Sequence, residues 1–282
     1  MQEFHWTNEQ GHRIYAVDWD TPNPRAVVGI IHGLGEHCRR YDALAAFFHT
    51  HRVAAVGYDR QGFGRSEGQR GHAASYTHYL DGVAQLLVQC QRRYSELPVF
   101  LYGQSMGGQL LLTYLIKRKP RITGAVVTSP HIATGFRPNP LVVGLGKLLR
   151  RVRPSQTLDN QLDLTRLSRD PEVQRAYTAD PLNHQRLSAQ VGLDLLERAK
   201  FLQDYAGGLT VPTLLLHGSA DGITAHDATE AFATRNPAGV HWRSYPGFYH
   251  ELHNEPGREE VLGDIWTWME NLLDTTTDAR AK

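Results

Sequence analysis

Short apolar runs alternate along the chain with longer segments whose apolar residues recur at helical spacing. Runs of this kind predict strands buried on both faces of a sheet, and the segments between them predict helices. In chain order the predicted strands are 4–7, 12–19, 26–31, 53–58, 99–102, 122–127, 213–216 and 240–245, and the predicted helices are 41–50, 76–94, 110–116, 227–234 and 263–273. Strands that alternate with helices indicate an α/β fold built on a mostly parallel central sheet with helices on both faces.

The alternation is interrupted between residues 131 and 208. This stretch has helical patterning, many arginines and several prolines, and it contains no run that predicts a strand. An insertion between two strands of one sheet fits this pattern. Residues 1–130 and 209–282 would then form the core, and residues 131–208 would form a helical cap, or lid. The tail after Asp274 is predicted to be disordered.

One part of the predicted cap is strongly apolar. Residues 140–149 are rich in leucine and valine and are followed by Arg150, Arg151 and Arg153. An apolar segment with a basic flank could rest on an anionic membrane and admit a lipid tail. The same segment could instead pack over the core while its arginines face water, and the sequence leaves both alternatives open.

Charge and composition narrow the class of protein. The chain has 282 residues with 30 basic and 29 acidic side chains, so it lacks the basic excess with which nucleic-acid-binding proteins neutralise phosphates. Its two cysteines, Cys38 and Cys90, form no CxxC pair, so neither a zinc site nor a disulfide framework is predicted. The N-terminus is polar, and no run approaches the roughly 18 apolar residues of a membrane span. We therefore expect a cytoplasmic protein that could still dock on a membrane, and its oligomeric state is left open.

The residues 103–107, Gly-Gln-Ser-Met-Gly, lie between a predicted strand and a predicted helix. The Gly-x-Ser-x-Gly pattern is typical of a nucleophile elbow, a sharp turn that strains the serine backbone and exposes its hydroxyl. Gly103 and Gly107 carry no Cβ that would collide where strand and helix approach each other. Ser105 is therefore the candidate nucleophile, although a glycine-rich turn with an ordinary exposed serine would show the same pattern.

A serine hydroxyl needs an adjacent base, and the base needs an orienting acid. In elbow hydrolases these partners follow the serine in the order acid, then histidine. Asp221 and His250 fit that order, and each comes just after a predicted strand. Taken alone, Asp221 could be a turn aspartate and His250 a loop histidine, with His253 as a rival base. Because all three candidates lie at strand ends, where α/β proteins bind ligands, we interpret Ser105, Asp221 and His250 as a catalytic triad.

A tetrahedral intermediate carries a negatively charged oxygen that requires preorganised hydrogen-bond donors. The backbone N–H of Met106, directly after the serine, is one candidate donor. The loop after strand 26–31 offers the N–H of Leu34 as the second, and glycines at 33 and 35 would let that backbone approach a substrate. We therefore expect an oxyanion hole formed by Leu34 and Met106.

Seven stretches, in order along nearly the whole chain, carry a resemblance to a known family. They are His32-Gly-Leu-Gly-Glu-His37 with Arg40-Tyr41, Gly62-x-Gly-x-Ser-Glu-Gly68, Gly103-Gln-Ser-Met-Gly-Gly108, Ser129-Pro130, Asp180-Pro181, His217-Gly-x-x-Asp221 and Tyr245-Pro-Gly-x-x-His250-Glu251. Together they resemble the monoacylglycerol lipase and lysophospholipase branch of the α/β-hydrolases, which are serine aminopeptidase S33-type hydrolases.

The resemblance implies the α/β-hydrolase fold, a cap at the interruption, and the catalytic roles assigned above. It also implies that Glu36, His37 and Arg40 hold the oxyanion loop in place. One departure concerns the stretch Asp-His-x-Gly-His-Gly, in which this chain has Arg60 and Phe63 where the family usually has histidines. That stretch is outside the triad, so the departure would alter the nearby loop network or the pocket rim rather than remove activity.

The resemblance further implies a serine carboxyl-ester hydrolase that cleaves monoacylglycerols or lysophospholipids through an acyl-enzyme and releases a fatty acid. No metal or cofactor is expected, and the expected partners are a small lipid ester and, through the cap, a membrane surface, but no nucleic acid. Two alternatives stay open. The same groups could act on small soluble esters or aminoacyl substrates, or the fold could serve as a non-catalytic ligand-binding protein. A long apolar pocket ending at Ser105 would favour a lipid.

Overall fold

The computed structural model describes the backbone of residues 1–280 and the side chains of residues 1–275. Its strands and α-helices are, in chain order, β1 (Gln2–Thr7), β2 (Arg13–Trp19), β3 (Ala26–Ile31), α1 (Asp42–Thr50), β4 (Val53–Tyr58), α2 (Tyr76–Arg93), β5 (Val99–Gln104), α3 (Met106–Arg118), β6 (Gly124–Thr128), α4 (Pro140–Val152), β7 (Thr157–Asp159), α5 (Pro171–Ala179), β8 (Arg186–Ser188), α6 (Ala189–Asp204), β9 (Thr213–Gly218), α7 (His226–Arg235), β10 (Val240–Tyr245) and α8 (Arg258–Arg280).

Eight strands form the central sheet in the order β1-β2-β4-β3-β5-β6-β9-β10. The hairpin β1–β2 and the pair β2–β4 are antiparallel, whereas every pairing from β4 across to β10 is parallel. The predicted α/β fold with a mostly parallel sheet is therefore confirmed. Because the strands from β4 to β10 run in one direction, their carboxyl ends share one edge, and ligands of such sheets bind there.

Apolar side chains fill the space on both faces of this sheet. Along β3, Val27 and Ile31 pack into one layer, while Val28 and Ile30 pack into the other. This alternation follows from the period of two in a strand. The first layer lies between the sheet and α2, α3 and α6, and the second lies between the sheet and α1 and α8. Burial on both faces explains why the central strands have continuous apolar sequences.

The segment between β6 and β9 contains α4, α5 and α6. The side chain of Asn139 caps α4 by accepting the N–H of Leu141 at 2.9 Å, and Pro140 occupies the first turn, where its missing N–H costs nothing. Asp170 and Pro171 start α5 in the same way. Within the described part of the chain, no helix combines the length and apolar character needed to cross a bilayer.

Two expectations about local structure are wrong. Residues 131–208 do contain strands, because β7 and β8 pair as a small antiparallel ribbon. Each of these strands has three residues, too few to produce a recognisable apolar run. The helix α8 continues through Arg280, so the chain after Asp274 is helical as far as it is described; residues 281 and 282 lie outside the described residues.

Candidate active site

Ser105 lies in the sharp turn between β5 and α3 and has a φ of 56° and a ψ of −119°. A positive φ is uncommon for a residue with a side chain and marks a strained turn. The helix α3 also lies so close to the neighbouring strand β3 that a Cβ on Gly107 would be 2.1 Å from the carbonyl oxygen of Ile31. A Cβ on Gly103 would lie 2.6 Å from the carbonyl oxygen of Gly107. The predicted strained turn is confirmed, and its glycines are required by space.

Asp221 and His250 meet at the carboxyl ends of β9 and β10. The Nδ1 atom of His250 lies 2.7 Å from Oδ2 of Asp221. The same carboxylate accepts the hydroxyl of Thr224 at 2.8 Å, and its Oδ1 accepts the backbone N–H groups of Ile223 and Thr224 at 2.7 and 3.0 Å. The aspartate side chain is fully buried. Asp221 is thus held rigidly and holds Nδ1 of His250, which leaves Nε2 of that ring for another partner.

A second histidine, His217, contacts the same carboxylate. Its Nε2 atom lies 2.9 Å from Oδ2 of Asp221, and its Nδ1 atom lies 2.9 Å from the hydroxyl of Thr229. Burial lowers the pKa of His217, and Asp221 only partly opposes that shift. A neutral His217 that accepts from Thr229 through Nδ1 donates its Nε2–H to Asp221.

The charges in this cluster favour an ionised acid and a readily protonated base. Burial alone would raise the pKa of Asp221, but the charge of His250 and the hydrogen bonds from both histidines lower it well below its usual value. Burial alone would lower the pKa of His250, yet the charge and hydrogen bond of Asp221 outweigh burial and raise it. An imidazole with this pairing can accept a proton and be stabilised as a cation.

The rival base, His253, occupies a different environment. Its ring stacks on Tyr41 with 4.8 Å between centroids, and its Nδ1 atom lies 3.3 Å from the hydroxyl of Tyr102. Burial lowers its pKa to about 4. The structure therefore brings His250, and not His253, to the aspartate.

The loop after β3 is held by a buried carboxylate. Glu36 accepts the N–H of Gly33 at 2.5 Å and the hydroxyl of Tyr41 at 2.7 Å through Oε1, and its Oε2 pairs with Arg40. The guanidinium of Arg40 also forms two hydrogen bonds with Glu251, at 2.7 and 2.8 Å. This network ties the loop that carries Leu34 to the loop that carries His250.

Two more residues that the resemblance singled out lie in the same region. His37 is buried, and its Nε2 atom lies 2.8 Å from Oδ2 of Asp180, which belongs to the inserted segment. Asp180 also accepts the N–H of Leu182 at 2.9 Å. The loop after β3 is thus linked on one side to the sheet and on the other to the inserted segment.

Arg60 and Phe63, the two departures from the family pattern, are both fully or almost fully buried. The guanidinium of Arg60 donates to the carbonyl oxygens of His32 and Gly33 and lies 5.0 Å from the centroid of the Phe63 ring. Phe63 in turn stacks on His184 at 5.0 Å. Both residues therefore belong to the network behind the loop after β3, and neither lines a cavity at Ser105.

Two cavities meet at Ser105. The larger encloses about 1130 Å³, counting the part open to solvent, and Leu34 and Met106 line it together with Ser105. Most of its remaining wall is apolar and comes from the inserted segment, including Val142, Val143, Leu158, Leu162, Leu193 and Leu196. The smaller cavity is lined by Ser105, His250, Leu34 and Tyr177. Ser105 and Leu34 thus line both cavities, whereas Met106 lines the larger one and His250 the smaller one.

Three polar residues of this site are not predicted from the sequence. His217 stands out only as part of a motif, although its spacing of four residues from Asp221 is a signal that could indicate a contact. Thr224 gives no sequence signal, because a threonine after a turn is ordinary. His131 lines the larger cavity and lies 2.8 Å from Nε2 of Gln109 through its Nδ1 atom. Burial lowers its pKa to about 4, so it presents a neutral ring to the cavity.

A mostly parallel sheet with a strained serine after β5 and an aspartate–histidine pair after β9 and β10 defines an α/β-hydrolase. The family model described as serine aminopeptidase, S33, matches residues 22–257, and the chain belongs to this family. It is a hydrolase with the predicted fold.

Individual relatives agree with this assignment. The chain is 31% identical over 258 residues to a monoacylglycerol lipase of Mycolicibacterium smegmatis, covering 91% of this chain and 92% of that protein. It is 34% identical over 254 residues to an uncharacterised abhydrolase domain-containing protein of Dictyostelium discoideum, covering 89% of this chain but 27% of that longer protein. The crystal structure of Paleococcus ferrophilus monoacylglycerol lipase superposes with a TM-score of 0.83 at 30% identity, covering 93% of this chain and 98% of that one.

Proposed function

We propose that this protein hydrolyses the ester bond of monoacylglycerols, with Ser105 as nucleophile, His250 as general base and Asp221 as the orienting acid. The observation that carries the substrate class is the large apolar cavity that ends at Ser105. The apolar lining of this cavity suits an acyl chain, since ligand pockets are walled mainly by hydrophobic side chains with a few polar groups. The monoacylglycerol lipases similar to this chain support the same substrate.

In the proposed reaction, Oγ of Ser105 attacks the ester carbonyl carbon while Nε2 of His250 takes the hydroxyl proton. The carbonyl π electrons move to oxygen, and the N–H groups of Leu34 and Met106 stabilise that oxyanion. Met106 is the first residue of α3, so its N–H has no partner within the helix. When the tetrahedral intermediate collapses, the C–O bond to glycerol breaks, and the protonated His250 returns the proton to the departing oxygen.

The second half of the reaction frees the enzyme. A water molecule attacks the acyl-serine ester while His250 accepts one of its protons. The second tetrahedral intermediate releases the fatty acid, and His250 returns the proton to Ser105. We propose that the small cavity beside His250 receives the leaving alcohol, because His250 and Ser105 both line it. No step requires a metal or a cofactor.

The charges on the cavity wall favour a neutral headgroup. Among the described residues that line the large cavity, none is a lysine or an arginine. The small cavity, which would receive the headgroup, is lined by one described cation, Arg40, and its guanidinium is already paired with Glu36 and Glu251. A phosphate-bearing lysophospholipid would therefore find no free cation among the described residues of either cavity, whereas glycerol requires none. The carboxylate of Asp159 is the lone acidic group on the described wall, and it is engaged with the N–H of Gln161 at 2.7 Å. Because Asp159 is exposed, water screens its charge, which makes it a weak anchor for the free amino group that an aminoacyl substrate carries.

We further propose that residues 131–208 act as a cap over the site and that α4 docks on an anionic lipid surface. Leu141, Leu145, Leu148 and Val152 form one exposed stripe of α4, with exposed fractions of 82%, 47%, 59% and 65%. The exposed Arg151 and the other basic residues at the end of the helix supply charge complementary to anionic lipid. Val142 and Val143 on the same helix line the large cavity, so a docked helix would set the cavity beside the membrane.

The substrate class is tested by hydrolysis rates for monoacylglycerols of increasing chain length, for a lysophosphatidylcholine, for short soluble esters and for an aminoacyl anilide. We expect long-chain monoacylglycerols to give the highest kcat/KM. The variant Ser105→Ala should lose on the order of 10⁴–10⁶ in rate, as triad knockouts do. Turnover of short soluble esters alone would refute the lipid proposal, and failure of a fluorophosphonate to label Ser105 would favour a binding protein.

Membrane docking is tested by co-sedimentation with phosphatidylserine vesicles and with phosphatidylcholine vesicles. We expect binding to the anionic vesicles that weakens with salt and with the double variant Leu141→Ser, Leu148→Ser. A matched control is Leu158→Ser, which alters the cavity wall and not the exposed stripe. Equal recovery of the parent and the double variant with anionic vesicles would refute docking through α4, and a concentration-dependent dimer would assign the stripe to a second copy of this chain.

A further inference from the structure

Arg60 is buried directly behind the loop that carries Leu34. Its two terminal nitrogens donate to adjacent carbonyl oxygens, Nη1 to His32 and Nη2 to Gly33. The backbone N–H of Arg60 lies 3.0 Å from Nε2 of His32, and Nδ1 of His32 lies 2.8 Å from the carbonyl oxygen of Gly33. Because Nε2 of His32 accepts a hydrogen bond, its proton is on Nδ1 and is donated to Gly33. Two donors therefore hold the carbonyl of Gly33.

The carbonyl of Gly33 and the N–H of Leu34 belong to one peptide unit. No peptide bond in the described chain is cis, and in a planar trans peptide the C=O and the N–H point in opposite directions. A partner that fixes the carbonyl therefore fixes the direction of the N–H on the other side. A charged donor on the carbonyl also polarises the peptide and strengthens its N–H as a donor.

We propose that Arg60 is a positioning residue of the oxyanion hole, and that its guanidinium aims and polarises the Gly33–Leu34 peptide so that the N–H of Leu34 faces the reacting carbonyl. This inference rests on the proposed function. Nη2 of Arg60 also lies 3.8 Å from Sδ of Met106, the residue that carries the other proposed donor. One guanidinium thus contacts the peptide that carries one proposed donor and the side chain of the residue that carries the other.

The surroundings of Arg60 leave its charge available for this role. Among the described residues, no carboxylate forms an ion pair with it, and its neighbours are the aromatic rings of Phe63 and Tyr79, at 5.0 and 6.0 Å from the guanidinium carbon. Unpaired buried charge is expensive and is retained where it serves a purpose. An imidazole at this position has no pair of parallel N–H groups that could donate to two neighbouring carbonyl oxygens, whereas a guanidinium has such a pair. Phe63, the second departure from the family pattern, offers the face of its ring to this cation.

The test compares two variants of Arg60 with a matched control. Arg60→Met keeps much of the volume and removes the charge. Arg60→Lys keeps the charge but removes the pair of parallel N–H donors. Arg93→Met is the control, because Arg93 also lies over an aromatic ring, Phe4, and pairs with Asp18, and none of these residues lines either cavity at Ser105. For each variant we would measure kcat and KM for a monoacylglycerol and the inhibition constant of a long-chain alkyl boronic acid, which forms a tetrahedral adduct on serine.

For Arg60→Met we expect kcat to fall on the order of 10–100-fold with KM within about twofold, less than the loss of a complete oxyanion donor. The boronic acid should bind more weakly by the same factor, because the adduct resembles the transition state. Arg60→Lys should lose several-fold in both, and Arg93→Met should change neither. If Arg60→Met shows no cooperative unfolding transition, and so is not folded, Arg60→Lys alone tests the proposal.

Different results would overturn the proposed function and the role of Arg60. An inactive wild-type protein that no fluorophosphonate labels would overturn the proposed function. An active wild type, with kcat and boronic acid binding of folded Arg60→Met both within twofold of it, would overturn only the role of Arg60. Where Arg60→Met does not fold, the same result for Arg60→Lys would overturn it. A rise in KM at constant kcat would assign Arg60 to ground-state binding and also overturn the inference.

Discussion

The Nε2 atom of His217 lies 2.9 Å from Oδ2 of Asp221, the same oxygen that pairs with His250 at 2.7 Å. His217 is fully buried, and the hydroxyl of Thr229 fixes its other nitrogen. Because burial lowers the pKa of His217, this ring stays neutral and acts as a donor, while the raised pKa of His250 lets that ring take the proton. Two histidines on one carboxylate therefore have different proposed tasks.

The first prediction concerns His217→Leu, which removes a buried donor to a charged group. We expect kcat to fall about 10-fold, since a hydrogen bond to a charged group contributes roughly 1.5 kcal/mol. KM should change little, because the substrate does not contact His217 in the proposed reaction. His217→Gln, which can still donate to Asp221, should recover most of the rate. Steady-state kinetics of both variants check this, and equal kcat for wild type and His217→Leu would contradict it.

The second prediction concerns pH. The proposed base, His250, must be neutral to accept the serine proton, and Asp221 holds its pKa above the usual value of 6.5. Activity should therefore be low where His250 is protonated and rise with pH through a pKa above 6.5. Asp221→Asn removes the negative charge, so the pKa of His250 should fall and the acid limb should move to lower pH. The residual rate should be reduced on the order of 10⁴-fold, as expected when the ring loses its orienting acid.

The check is the pH dependence of kcat/KM, which reports the free enzyme. A wild-type acid limb centred below pH 6.5 would contradict the pairing of His250 with Asp221. Glu251→Gln is a useful comparison, because Glu251 follows His250 in sequence and its charge raises the pKa of His250 less than Asp221 does, while its hydrogen bonds go to Arg40. Its acid limb should move less than that of Asp221→Asn.

The third prediction concerns the buried ion network that links two loops of the site. Arg40→Met leaves the carboxylates of Glu36 and Glu251 buried without their cation. Breaking a buried ion pair from one side costs about 3–5 kcal/mol, and we expect the free energy of unfolding at pH 7 to fall by that amount. Arg39→Met is the control, since Arg39 pairs with the half-exposed Asp42 and should lose no more than about 1 kcal/mol. Urea unfolding measures both, and equal losses would contradict the prediction.

The same network predicts how stability depends on acid. Burial would raise the pKa of Glu251, but Arg40 lowers it from 4.5 to about 2. A carboxyl whose pKa is lower in the folded than in the unfolded state stabilises the fold above the unfolded value and loses that contribution as pH falls. Wild-type stability should therefore decline between about pH 4.5 and 2. Urea midpoints across this range should show a smaller decline for Arg40→Met.

The sequence predicted the sheet and the three candidate residues because their signals are local. Buried parallel strands are continuous apolar runs, and the polar residues just after them are brought to one edge by the topology. The contacts of Arg60 could not be predicted in the same way. They depend on where β3, β4 and α2 place side chains that are distant in sequence, and Arg60 gives no periodic signal. The ribbon of β7 and β8 was missed because three-residue strands lack a pattern.

The last prediction concerns the turn at Ser105. A Cβ on Gly107 would meet the backbone oxygens of Ile31 and His32 at 2.1 and 2.6 Å, and backbone cannot move aside as a side chain can. Gly107→Ala should therefore push α3 away from β3, reduce the free energy of unfolding by about 1–3 kcal/mol or more, and slow fluorophosphonate labelling of Ser105. Gly144→Ala is the matched control in α4, where a Cβ meets nothing within 4 Å and should stabilise the helix by roughly 0.5–1 kcal/mol. Labelling of Gly107→Ala at the wild-type rate would show that the turn is not under this steric constraint.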